Sequence, residues 1–98
     1  MDDREKYSSE ILDIIKEIAK THGGILLVVW RGPAYSGTGY ITVRGREKAV
    51  FDCNFTNSGF IIELRGEQKY SRLAGLIDYS DEEETERVIR EIGEAIQK

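Results

Sequence analysis

Apolar residues recur at three- and four-residue steps near the start of the chain, at Tyr7, Ile11, Ile14, Ile15, Ile18 and Ala19. That spacing predicts an amphipathic helix from about Asp3 to His22. Gly23 and Gly24 end it, because a left-handed C-cap favours glycine. Ile25 to Trp30 is a continuous apolar run and reads as a strand buried on both faces. The stretch from Arg31 to Gly37 holds Pro33 and two glycines and reads as a loop.

Beyond it the period changes to two. Ile41 and Val43 alternate with Tyr40, Thr42 and Arg44; after a turn over Gly45 to Lys48, Phe51, Cys53 and Phe55 alternate with Val50, Asp52 and Asn54. A second turn, Thr56 to Gly59, leads to Phe60, Ile62 and Leu64 alternating with Ile61, Glu63 and Arg65. Strands joined by short glycine-containing turns predict an antiparallel meander. A short fifth strand is expected within 70–77. Ser80 followed by Glu83 has the spacing of a capping box, opening a helix whose apolar stripe is Val88, Ile89, Ile92, Ala95 and Ile96.

The expected architecture is therefore one α+β domain over residues 1–98, a two-layer sandwich in the order α-β-β-β-β-(β)-α. Its sheet is a largely antiparallel meander with both terminal helices on one face. A chain of 98 residues with one proline supports one core and no second domain. The outline of a helix, an antiparallel sheet and a closing helix resembles frataxins, type III secretion chaperones and the TATA-binding-protein-like group. The acidic helix that marks frataxins is the first, whereas the densest acidic cluster here opens the last, so the likeness implies an outline and no function.

Charge and cysteine content narrow the setting. A single cysteine, Cys53, excludes a disulfide framework within the chain and suits a reducing, cytoplasmic compartment. Charges throughout the first twenty residues argue against a secretory signal, and Ile25 to Trp30 is far short of the roughly 20 residues that span a bilayer. The net charge of −4 divides into −2 over residues 1–23, +3 over 24–77 and −5 over 78–98. Acidic ends around a basic middle disfavour wrapping by DNA and leave room for a local anion site. The 33% charged content also matches heat-adapted proteins.

The sheet face turned away from the helices is where chemistry is expected. It presents Tyr40, Thr42, Arg44, Val50, Asp52, Asn54, Ile61, Glu63 and Arg65, with Tyr35, Tyr70, Arg31, Lys69 and Arg72 in adjoining loops. Rings beside guanidinium groups suit single-stranded nucleic acid, since bases stack on rings and arginine neutralises phosphate. Tyr35, Tyr40, Arg44, Asn54, Arg65 and Arg72 are the candidate ligand residues. The same face reads more simply as an ordinary alternation in which Arg44 and Arg65 oppose Asp52 and Glu63. An apolar first strand beside an open face also points to association of the chain with itself, as a homodimer, or with another protein. Val28, Trp30, Val50 and Ile61 are the candidates for that contact.

The segment Tyr35-Ser-Gly-Thr-Gly-Tyr40 has the glycine content of a phosphate cradle but lacks the lysine and following helix of a P-loop, and a flexible hairpin connection is expected. Asp78, Asp81, Glu82, Glu83, Glu84 and Glu86 suit a helix N-terminus better than a metal. His22 sits at a helix end and Cys53 on the apolar face, so no acid, base or nucleophile is framed. Catalysis is not expected, and no cofactor or metal is implied.

Overall fold

A computed structural model describes residues 3–32, 35–65, 71–72 and 76–97, with only the backbone at 71–72. Two helices, α1 (Asp3–Thr21) and α2 (Glu82–Gln97), enclose the strands β1 (Gly24–Trp30), β2 (Ser36–Val43), β3 (Arg46–Phe55), β4 (Gly59–Arg65), β5 (Ser71–Arg72) and β6 (Ile77–Asp78). The sheet is antiparallel in the order β1-β2-β3-β4-β5, and β6 also pairs with β4. The two short strands share the far edge of β4: Glu63 and Leu64 meet Arg72 and Ser71, while Gly59 and Phe60 meet Asp78 and Ile77. Within the expected fifth strand at 70–77, Ser71–Arg72 and Ile77 pair with β4, and residues 70 and 73–75 lie outside the described residues. No helix among the described residues is long and apolar enough to cross a membrane.

One core joins the layers. Ile11, Ile15 and Ala19 of α1 and Val88, Ile92 and Ile96 of α2 are buried with Ile41, Ala49, Phe51, Cys53, Phe55, Phe60, Ile62 and Ile77. Alternation places these sheet residues on one face, as their period of two requires. Gly39, whose partner across the ladder is Phe51, lies under the Phe51 ring: a Cβ there would fall 2.5 and 2.7 Å from two ring carbons. The missing side chain is what makes room for the ring.

A row of rings ties α1 to the sheet. Tyr7 of α1 stacks on Tyr79 at 4.2 Å between centroids, Tyr79 on Phe60 at 6.0 Å, and Phe60 on Phe55 at 6.0 Å. Trp30 then meets Phe55 at 6.5 Å and Tyr35 edge-on at 5.8 Å. The Tyr79 hydroxyl donates to the Thr56 carbonyl at 2.6 Å.

Several local expectations are corrected. The first loop is shorter than read: β2 begins at Ser36, so Gly37, Thr38 and Gly39 are strand residues, and the supposed phosphate cradle or flexible connection is part of the ladder. The next turn is Arg44-Gly45, with φ of 54° and 77° between the paired Val43 and Arg46. Positive φ at both central residues is the geometry that matches strand twist in a two-residue hairpin. The register shift between Ile41 and Thr42 absorbs the extra residue on β3. Asp81, not Ser80, caps α2: its carboxylate accepts from the Glu84 amide at 3.1 Å, while Ser80 donates through its hydroxyl to Asp78 at 2.7 Å. The Glu84 side chain turns to Arg87 at 2.8 Å.

The largest correction concerns β1. It is an edge strand, and the face without helices leaves Ile25 71%, Leu27 61% and Val29 47% exposed. A continuous apolar run that was read as buried on both faces is buried on neither fully.

Candidate interaction surface

The register defines what the outer face carries. Leu27, Tyr40, Val50 and Arg65 form one row across β1 to β4. Val29, Thr38, Asp52 and Glu63 form the next, and Ser36, Asn54 and Ile61 lie beyond on β2 to β4. An apolar border along β1 therefore adjoins a polar centre.

That centre is organised around Asp52. Arg65 donates to its carboxylate from Nε at 2.8 Å and Nη2 at 3.0 Å, a fork of the kind that fixes orientation. Arg31, just past β1, donates to Asp52 at 3.1 Å and to the Thr38 hydroxyl at 2.6 Å, and that hydroxyl donates to Asp52 at 2.9 Å. Burial works against the Asp52 charge, but the hydrogen bonds from Thr38 and Arg65 and the charges of Arg65 and Arg31 outweigh it and hold the carboxyl below its ordinary pKa. Both guanidinium groups are half exposed; Arg31 bonds through Nη2 and Arg65 through Nε and Nη2.

The candidate ligand residues do not converge. Tyr40, Asn54 and Arg65 share the outer face, whereas Arg44 stands in the hairpin turn and not on the sheet face as its alternation implied. Tyr35 lies towards α1, its ring beneath the Arg4 guanidinium at 5.9 Å and against Trp30. Arg72 pairs through its backbone with Glu63, and its side chain, like Lys69 and Tyr70, lies outside the described residues. Of the candidates for self-association, Val50 and Ile61 face outward, while Val28 and Trp30 lie on the helix side of β1. The sequence does not mark the residues that form the apolar border, Ile25, Leu27 and Val29, because nothing in an all-apolar run distinguishes one face from the other.

His22 is exposed at the end of α1. Cys53 is buried, with Sγ 3.6 Å from the Gly37 carbonyl, and burial raises its pKa to about 11. Among the described residues no group of histidine, cysteine and carboxylate side chains is placed to hold a metal ion, and no buried polar side-chain atom lacks a partner.

No family model matches this chain. No curated protein and no solved structure matches it at significance.

The backbone of β1 is the remaining element of the surface. The Arg31 amide donates to the Ser36 carbonyl at 2.8 Å, and the Phe55 amide to the Tyr35 carbonyl at 2.8 Å. These bonds phase the ladder: in an antiparallel pair hydrogen-bonded and open positions alternate, so Ile25, Leu27 and Val29 bond to β2. Gly24, Leu26, Val28 and Trp30 turn their amide and carbonyl groups towards the open edge.

Proposed function

We propose that this chain is a non-enzymatic interaction protein that associates with itself through β1 and the apolar border it lends the outer face. The observation that carries this reading is the contrast between the two edges of the sheet. Proteins blunt edges with charge, proline, bulges or very short strands, because unpaired backbone groups recruit other chains. At the β4 edge Ser71–Arg72 and Ile77–Asp78 pair with β4 and take up part of its backbone. β1 has the sequence GILLVVW, with no charge and no proline, and runs straight and fully paired along β2.

Area supports the same reading. The exposed parts of Ile25, Leu27 and Val29 form one border of on the order of 300 Å² per copy, the size of patch that on a monomer is often functional. Association through the β1 edge buries part of that border together with the two backbone edges, less than the ~1,000 Å² of a stable interface, which suits a weak, reversible association. Among the described candidates the nucleic-acid alternative draws on Tyr40, Asn54 and Arg65, and Arg65 already bonds to Asp52.

Sedimentation velocity over about 1 to 500 µM tests the proposal, set against Leu27→Lys, which puts a charge on the exposed border at little cost to the fold. Concentration-dependent dimerisation of the wild type, lost in Leu27→Lys at unchanged thermal stability, is expected. A strict monomer throughout, or a variant that associates as the wild type does, overturns it.

A further inference from the structure

Resting on that reading, we infer that the partner is a second copy whose β1 pairs antiparallel with this one about a two-fold axis through Leu27, so that the two sheets become one continuous sheet. Symmetry and side-chain alternation fix most of this geometry. Residues directly opposite in an antiparallel pair point to the same face, and a two-fold axis normal to the sheet pairs a strand with itself. An odd-numbered residue must then meet an odd-numbered one, which excludes half of all registers.

Among those that remain, the register centred on Leu27 is the one that pairs the whole of Gly24–Trp30. It sets Leu27 opposite Leu27, Ile25 opposite Val29, Leu26 opposite Val28, and Gly24 opposite Trp30. Each of these matches is chemically sound. The apolar borders of the two outer faces merge, since Ile25, Leu27 and Val29 of both copies lie side by side. Bulky Trp30 meets the one position without a side chain. No like charges oppose one another, because β1 carries none.

The hydrogen-bond phase agrees independently. Gly24, Leu26, Val28 and Trp30 are the residues whose amide and carbonyl groups face the open edge. In this register they oppose one another, Gly24 with Trp30 and Leu26 with Val28, and each pair exchanges two backbone hydrogen bonds. Leu27 falls at an open position, where the Cα atoms of opposed residues are about 4.5 Å apart. Moving the axis by one residue, to Leu26 or Val28, keeps the face alternation but leaves an end of β1 unpaired and takes Trp30 away from Gly24.

The alternative for two copies is to stack their outer faces, which would cover Ile25, Leu27 and Val29 while leaving the β1 edge open. Two measurements separate the arrangements. Single cysteines are introduced as Ile25→Cys, Leu27→Cys and Val29→Cys, and chains are oxidised with oxidised glutathione; native Cys53 is buried and serves as a silent background. The expected result is a disulfide-linked dimer of Leu27→Cys, little self-linking of Ile25→Cys or Val29→Cys, and efficient linking when those two variants are mixed. Hydrogen exchange on the wild type across the same concentrations should slow the Leu26, Val28 and Trp30 amides at least tenfold as the dimer forms. If dimers form but Ile25→Cys links to itself as readily as Leu27→Cys does, or the edge amides exchange at one rate throughout, this pairing is wrong and self-association stands. If no dimer forms at any concentration, both fail.

Discussion

Replacing Gly39 with alanine tests how the core is built more sharply than any truncation. The new methyl would lie 2.5 and 2.7 Å from two carbons of the Phe51 ring, against an ordinary carbon contact of about 3.5–4.0 Å, so the two groups overlap by roughly 1 Å. Phe51 has no exposed surface and is enclosed by the helices and its sheet neighbours. It cannot swing into solvent, so the strain is shared between the ring and β2. Overpacking of this kind costs typically 1–3 kcal/mol, and three crowded ring atoms place this site near the top of that range. Alanine restricts the unfolded chain and returns about 0.4–1 kcal/mol. The net loss is about 2 kcal/mol, which lowers the melting temperature of a domain this size by roughly 10 °C. Urea unfolding followed by Trp30 fluorescence and far-ultraviolet circular dichroism measures it, with an unchanged slope as the sign that the folded state is otherwise intact. A second variant, Phe51→Leu, removes the obstructing ring, and Gly39→Ala/Phe51→Leu should be more stable than the two single losses predict by at least ~0.5 kcal/mol. A Gly39→Ala protein as stable as the wild type, or strict additivity with Phe51→Leu, would refute the claim that the ring occupies the glycine's place.

Three further outcomes are expected. Because the folded pKa of Asp52 lies below its unfolded value of about 3.8, its contribution is complete above that pH and is lost as pH falls through the folded value; Asp52→Asn should therefore flatten the acid side of the stability profile in urea titrations, and a profile unchanged by the substitution would count against the Arg31–Asp52–Arg65 cluster. The Cys53 thiol, raised to about 11 from 9.0, stays protonated in the folded protein while the unfolded chain ionises, so stability should decline as pH rises above 9, and iodoacetamide should modify Cys53 only at the rate of opening, a result overturned by rapid labelling under native conditions. Tyr79→Phe removes the hydroxyl that donates to Thr56 yet keeps the ring stacked on Tyr7 and Phe60; a loss of about 0.5–1.5 kcal/mol is expected in the same unfolding assay, and an unaltered midpoint would show that this bond contributes nothing.

The course of the chain was readable where periodicity and chemistry agreed. Ile11, Ile15 and Ala19 on one side, and Phe51, Cys53, Phe55, Phe60 and Ile62 on the other, announce the helix and the sheet face that meet in the core. The misreadings each have a physical source. Gly37 and Gly39 look like loop residues because their role depends on Phe51 and Trp30, which approach them only after folding. Arg44 occupies a left-handed conformation usually taken by asparagine, aspartate or glycine, so the turn was placed one residue late. Ser80 and Asp81 are both competent caps, and the choice fell to Asp81 because Asp78 engages Ser80. The outer surface was half legible: alternation placed Tyr40, Asp52, Asn54 and Arg65 correctly, but no local pattern told whether Gly24–Trp30 would lie within the sheet or at its margin. Strand order is a long-range property, and the exposed border follows from it.

The ring row has a practical consequence at its outer end. Trp30 is the sole indole in the chain, set at the end of the open strand, packed on Tyr35 and Phe55 on one side and 43% exposed on the other. Its emission is a built-in optical signal for two separate events. Loss of its aromatic neighbours on unfolding hydrates it and shifts the spectrum to the red, whereas docking against a second chain removes its remaining water and shifts it to the blue. The direction of the colour change tells the two apart in unlabelled protein.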